Sequence, residues 1–276
     1  FVYTGVILII LENRMKLKNG KKRIVVKIGT STLTHSTGKA NIALIAKLAS
    51  VLSDLKNEGH QIVLVSSGAI SVGMGRLRLS EKPKEIQCLQ AAAAVGQSEL
   101  MFLYDRLFSE YDVVVSQLLL TFDELENSDS RFHITNTLDQ LLAYDCLPIV
   151  NENDSVSVEE LVSGDNDCLS ATVAKITDAD LLVILTDTDG LYDGDPAENK
   201  NAKLISVVEQ IDDSIKSVTG VAGKRGTGGF ITKINAAQIA VCAGIPVAII
   251  NGNKPTNIYK VVNGENVGTY FKAVKA

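Results

Sequence analysis

From Arg23 onward, short apolar runs alternate with longer stretches whose apolar residues recur at helical spacing. Arg23–Ile28 (RIVVKI) is rich in β-branched residues and stops at Gly29, which predicts a buried strand. Ile42, Ile45, Leu48, Leu52 and Leu55 fall on one face of a helix that ends near Gly59. The same reading predicts strands over Gln61–Val65, Val113–Leu119, Leu147–Val150, Leu181–Leu185 and Val247–Ile250. It predicts helices over Lys84–Phe108, Arg131–Ala143, Cys168–Ile176 and Thr232–Ala243. Strands followed by helices, with strands apolar throughout, imply an α/β fold: an open, mostly parallel sheet sandwiched between helices. Neither a linker nor a repeat nor a low-complexity tract interrupts the pattern, so residues 15–276 read as a single domain.

Residues 1–14 stand apart. Phe1–Leu11 is apolar but too short to span a bilayer, and Met15 looks like an ordinary translation start. We read 1–14 as an added or upstream-translated extension.

Composition narrows the functions on offer. The 276 residues are 46% hydrophobic and 21% charged, enough apolar material for a large core. The formal net charge is −5, and the basic runs are as short as Lys21-Lys22-Arg23, which argues against a nucleic-acid surface. The four cysteines (Cys88, Cys146, Cys168, Cys242) are far apart, and three lie in apolar segments where they should pack as small hydrophobes. A disulfide framework or zinc site is not expected, and a reducing cytoplasm fits.

In open α/β sheets, ligands bind beyond the carboxyl ends of the strands, and the unusual polar residues of this chain fall there. Lys27 interrupts an apolar strand. Either its ammonium reaches an anion or a carboxylate, or the strand is an edge strand and the lysine meets solvent. Gly29, Thr30 and Ser31 follow with close N–H and hydroxyl donors suited to phosphate. Ser66-Ser67-Gly68-Ala69-Ile70 reads as a strand-to-helix turn, and the absence of G-x-S-x-G excludes a nucleophile elbow. The stretch from Asn151 to Asp167, with NEND and GDND, is dense in carboxylates and amides, a combination that suits a ligand carrying an ammonium. The aspartates of Asp187–Asp195 suggest a calcium loop, but Tyr192 stands where such a loop needs glycine. Glycines 226, 228 and 229 precede a helix whose first turn holds Lys233, a lysine opposing the helix dipole unless it meets a negative ligand.

Taken in order, VVKIGTS, SSGAI, AAAAVGQ, NENDSV, GDND, LLVILTDTDGLY and GTGGFITK resemble the glutamate 5-kinase branch of the amino acid kinase family, over about residues 22–252. Two departures are Phe230, where methionine is usual, and Ser163 before Gly-Asp-Asn-Asp. The resemblance implies ATP-dependent phosphorylation of the glutamate γ-carboxylate, with Mg²⁺, as the first step of proline biosynthesis. It implies L-proline as feedback inhibitor, a homo-oligomer (dimer or tetramer), and a form without the RNA-binding-like C-terminal domain of many members. Position by position, it gives Lys27, Lys233 and Asp167 the catalytic roles, with Asp167 orienting the two lysines. It gives glutamate Ser67, Asp154 and Asn166, with Asn151 and Asp165. It gives ATP Lys27, Gly29, Thr186, Asp187, Thr227, Gly228, Gly229, Phe230, Ile231, Thr232 and Lys233. Another kinase of this fold, acting on N-acetylglutamate, aspartate or UMP, and an inactive amino-acid sensor are the alternatives.

Overall fold

The computed structural model describes residues 17, 20–35, 37–157, 166–194, 199, 201–219 and 229–274. The 1–14 extension, Asp165, Thr227 and Gly228 lie outside the described residues. One eight-stranded sheet organises the chain. Its strands are β1 (Arg23–Ile28), β2 (Gln61–Val65), β3 (Val115–Leu120), β4 (Leu147–Glu152), β5 (Leu181–Thr186), β6 (Val207–Val208), β7 (Val247–Asn251) and β8 (Thr269–Phe271), in the order β3-β4-β2-β1-β5-β7-β8-β6. All neighbouring pairs are parallel except β7 with β8.

The helices are α1 (Thr30–Leu33), α2 (Ile42–Asn57), α3 (Ala69–Leu77), α4 (Ile86–Ser109), α5 (Phe122–Glu126), α6 (Ser128–Ala143), α7 (Asn166–Ile176), α8 (Asp213–Thr219), α9 (Phe230–Cys242) and α10 (Asn257–Val262). They form a layer on each face of the sheet. Ile24, Val26 and Ile28 of β1 join the core made with α2, α4 and α10; Val25 joins the opposite core made with α6, α7 and α9. Because side chains alternate along a strand, Arg23 and Lys27 share the second face with Val25. This double burial is why the parallel strands read as unbroken apolar runs rather than as alternating ones.

The chain leaves β1 toward β2 on one side, and β5 pairs with β1 on the other, so the sheet changes direction of winding beside β1. That is where a crevice opens at the strands' carboxyl ends. Close helix packing shapes one wall. A Cβ added at Gly73 would sit 1.8 Å from the Ala92 carbonyl oxygen, and one at Gly96 would sit 1.8 Å from that of Ala69. Glycine at both positions lets α3 and α4 meet backbone to backbone, which draws the start of α3 against the middle of α4. Gly68, at φ +91°, takes the left-handed turn that starts α3, a conformation that costs a side-chain-bearing residue about 1–2 kcal/mol.

The expected elements recur with small shifts. The third strand runs Val115–Leu120 rather than from Val113, and β4 extends through Asn151 and Glu152, which pair with Leu119 and Leu120. Asn151 and Glu152 are therefore strand residues rather than the start of a loop. Helix α3 and the short strands β6 and β8 had no clear pattern, being glycine-containing or only two and three residues long. Two expectations are corrected. The packing expected of the cysteines holds only in part: Cys168 packs partly buried against the second core, Cys146 is intermediate, and Cys88 and Cys242 are exposed. The edge-strand alternative for Lys27 also falls, because β1 lies between β2 and β5 and Lys27 is only 5% exposed.

Candidate active site

Lys27 is the next-to-last residue of a fully buried strand, and burying its ammonium without a partner would be prohibitive. The partner is Asp167, one residue into α7, whose Oδ1 lies 2.7 Å from Lys27 Nζ. The other carboxylate oxygen, Oδ2, accepts from Thr232 Oγ1 at 2.8 Å and Lys233 Nζ at 3.1 Å, both in the first turn of α9. Three elements thus converge on one carboxylate, and each of its oxygens receives charge. Burial alone would raise the pKa of Asp167; the ammonium groups of Lys27 and Lys233, with hydrogen bonds from Lys27 and Thr232, outweigh burial and hold the carboxyl at about 2. The position of Asp167 in the first turn of α7 adds a favourable dipole interaction. A Cβ at Gly29 would come within 3.4 Å of Lys27 Nζ, so glycine keeps the approach to that ammonium clear.

Beside this triad sits a group of amides and hydroxyls. Asn166, 3% exposed, donates from Nδ2 to the Ser66 carbonyl (3.1 Å), Ser67 Oγ (3.0 Å) and Asn151 Oδ1 (2.9 Å). The ends of β2 and β4 and the start of α7 are thereby tied together, and Asn166 and Asp167, adjacent in sequence, join the amide group to the lysines. Asp154, two residues beyond the end of β4, is half-buried; burial lifts its carboxyl to about 6, against the pull of the positive charge of Lys82. On the other side of β1, Thr186 is buried at the end of β5 and donates to Asp187, which is exposed. Phe230 packs against the second core, whereas Ile231 is 56% exposed. Among the described residues, no three His, Cys, Asp or Glu side chains group as a metal site would require.

Residues 22–251 match the amino acid kinase family, most of the chain. The chain belongs to that family. Within the family it is 49% identical over 267 residues to a Clostridium perfringens protein named glutamate 5-kinase, covering 95% of this chain and 99% of that one. A Listeria monocytogenes protein of the same name is 49% identical and 96% covered. A third, from Caldanaerobacter subterraneus, is 47% identical and 68% covered. Two solved structures share the amino acid kinase fold. They are an isopentenyl phosphate kinase from T. acidophilum (TM-score 0.61, 19% identity, covering 91% of this chain and all of that one) and a carbamate kinase from Giardia lamblia bound to AMP-PNP (0.63, 16%, 92% and 99%).

For this member of the amino acid kinase family, the structure brings Lys27, Ser67, Asn151, Asn166, Asp167, Thr232 and Lys233 into one crevice with Gly29 at its edge. Asp165, Thr227 and Gly228 lie outside the described residues. Two contributors went unassigned in the sequence. Gln97 Oε1 accepts from Asn151 Nδ2 at 2.8 Å, and the buried Tyr104 hydroxyl shares a 2.9 Å hydrogen bond with Ser66 Oγ. Burial drives the Tyr104 pKa well up, so the phenol stays protonated. Gln97 closes the AAAAVGQ motif, but nothing in the sequence tells what it or Tyr104 faces.

Proposed function

We propose that this chain transfers the γ-phosphoryl group of ATP to the γ-carboxylate of L-glutamate, yielding L-glutamyl 5-phosphate and ADP, the entry reaction of proline synthesis. The observation that carries the reading is Asp167 bridging Lys27 and Lys233 one residue from the amide cluster of Asn166. Glutamate at neutral pH is already ionised at its side chain, whose usual pKa is about 4.3, so no base has to remove a proton. One carboxylate oxygen attacks the γ-phosphorus, the new P–O bond forms, and the bond to the β,γ-bridging oxygen breaks with its electrons leaving on ADP. The obstacle is the approach of two anions and the charge that gathers on the bridging oxygen. Lys27 and Lys233, held by Asp167, meet that charge with preorganised ammonium groups. Thr232 keeps the Asp167 carboxylate turned toward both.

The nucleotide belongs on the side of β1 facing β5, over Gly29, Thr186, Asp187 and residues 229–233. Glutamate belongs on the Ser67, Asn151, Asp154 and Asn166 side. Mg²⁺ serves the reaction by offsetting triphosphate charge. Because both Asp167 oxygens already take Lys27, Thr232 and Lys233, the ion would be held chiefly by phosphate oxygens and water. L-proline, which keeps the ammonium and α-carboxylate of glutamate but lacks its γ-carboxylate, competes at the same residues, and the assembly is a homo-oligomer. ADP release measured with L-glutamate, L-aspartate and N-acetyl-L-glutamate tests the reading. Glutamate should be strongly preferred, because an acetylated nitrogen leaves carboxylate and amide acceptors unpaired, at about 1–3 kcal/mol each. Equal rates on N-acetylglutamate would refute it.

A further inference from the structure

The amide of Asn166 is fixed in one sense. Its nitrogen has two hydrogens and three acceptors, Ser66 O, Ser67 Oγ and Asn151 Oδ1, all within 3.1 Å. Its oxygen, Oδ1, is buried and takes no hydrogen bond from the described residues. An amide turned the other way would fill nearly the same volume while exchanging donor for acceptor, so shape alone does not choose. The choice is made by two neighbours: the Ser66 backbone carbonyl, which can only accept, and Asn151, whose amide presents Oδ1 rather than Nδ2. That orientation is held from two sides. The Glu152 N–H donates to Asn151 Oδ1 at 2.9 Å, and Gln97 Oε1 accepts from Asn151 Nδ2 at 2.8 Å. Gln97 is the outermost member of the series and the one carried by a different layer: it rides on α4, drawn close by the Gly73–Gly96 packing.

We infer that Gln97 is a positioning residue, an acceptor that orients Asn151, which orients Asn166, so that Asn166 Oδ1 is left for the ammonium of the amino-acid substrate. The identity of that ammonium rests on the function proposed above; the orienting relay does not. Without Gln97, Asn151 is held by the Glu152 N–H alone and turns more easily; when it turns, its NH₂ opposes that of Asn166, whose amide is then held only by the Ser66 carbonyl and Ser67 and sits less firmly in place. The substrate ammonium would meet a less firmly placed acceptor, a loss felt in binding more than in phosphoryl transfer.

The test compares Gln97→Met, which removes the acceptor, with Gln97→Glu, whose carboxylate accepts but cannot donate. Gln97→Met should raise KM for glutamate about tenfold, the effect of one lost polar contact, with a smaller fall in kcat and little change in KM for ATP. Gln97→Glu should return KM to within about threefold of the parent. A substrate-free readout accompanies this: the side-chain NH₂ of Asn166, assigned in nitrogen–proton spectra by its loss in Asn166→Asp, should exchange with solvent more slowly in the parent and in Gln97→Glu than in Gln97→Met. Exchange as slow in Gln97→Met as in the parent, or a Gln97→Glu protein as impaired as Gln97→Met, would overturn the relay. Protection following the expected pattern in a protein that does not phosphorylate glutamate would sustain the relay and overturn the substrate reading.

Discussion

Strand β1 carries a buried cation at each end of the same face, and the two are handled differently. At its start, Arg23 (4% exposed) gives Nη1 to Asp139 Oδ1 at 3.0 Å and to the Thr177 carbonyl, and Nε to Gln61 Oε1 at 2.8 Å. Its own N–H donates to Asp180 Oδ2 at 2.7 Å. At the other end, Lys27 meets one carboxylate, which it shares with Lys233, beneath a glycine that keeps its approach open. Helix α7 runs between them: Asp167 lies in its first turn and Thr177 directly follows its last. The helix therefore presents its positive end to a carboxylate and its negative end to a guanidinium, both favourable. Arginine's planar fork suits a closed set of fixed acceptors, whereas lysine's compact ammonium suits a site where one partner is shared and another anion arrives. Burial and ion pairing are common to both ends; what separates scaffold from chemistry is whether the cation's surroundings are closed by protein.

The sharpest way to break this comparison is at the scaffold end. Arg23→Met strands the Asp139 carboxylate in the interior, which should cost about 3–5 kcal/mol of stability, read as a fall in the denaturant midpoint. The folded fraction should keep its kcat. A kcat that fell with stability preserved would erase the distinction between the two ends.

At the chemical end, Lys233→Ala should lower kcat by about 10²–10³-fold, since its charge is matched to one that develops during transfer. KM for glutamate should move much less. Steady-state kinetics distinguish this from a binding defect.

A smaller effect belongs to Asp154. Its carboxyl, lifted to about 6 by burial, binds an ammonium only when ionised, so KM for glutamate should rise as pH falls through about 6, approaching tenfold per unit below. Asp154→Ala should abolish that pH dependence while raising KM at neutral pH. The linkage to stability has the opposite sense. Asp154 holds its proton longer folded than unfolded, so its contribution improves as pH drops from about 6 toward 4. Asp167, held at about 2, stabilises fully above about 4 and loses that contribution as pH falls toward 2. The smallest expected change is Tyr104→Phe. Ser66 loses one neutral hydrogen bond, about 1 kcal/mol, visible in the melting temperature and as a few-fold rise in KM for glutamate.

Much of this arrangement was legible in the chain because its signals are local. An apolar hexapeptide ending in Gly29 announces β1, and a lysine inside it demands an anion. NEND and GDND mark themselves by composition. What escaped depends on distance. Gln97 meets Asn151 across 54 residues and Tyr104 meets Ser66 across 38, and an isolated polar residue in an alanine-rich helix says nothing of what it faces. The pairing of Asp167 with both lysines came from family resemblance rather than spacing, since 140 and 66 positions separate it from Lys27 and Lys233. Cys88 and Cys242 misled because an apolar neighbourhood in sequence does not say which side of a helix faces inward.

On the proposed function, the Lys27 end of β1 performs phosphoryl transfer while the Arg23 end holds the fold. The most direct measurement is hydroxylamine trapping of the acyl phosphate formed from ATP and glutamate, with Lys27→Met and Arg23→Met compared at a temperature where both are folded. Arg23→Met should form γ-glutamyl hydroxamate at a rate within a few-fold of the parent, and Lys27→Met about 10²-fold or more slowly. Equal rates from the two variants, or hydroxamate formed by Lys27→Met at the parental rate, would contradict the account.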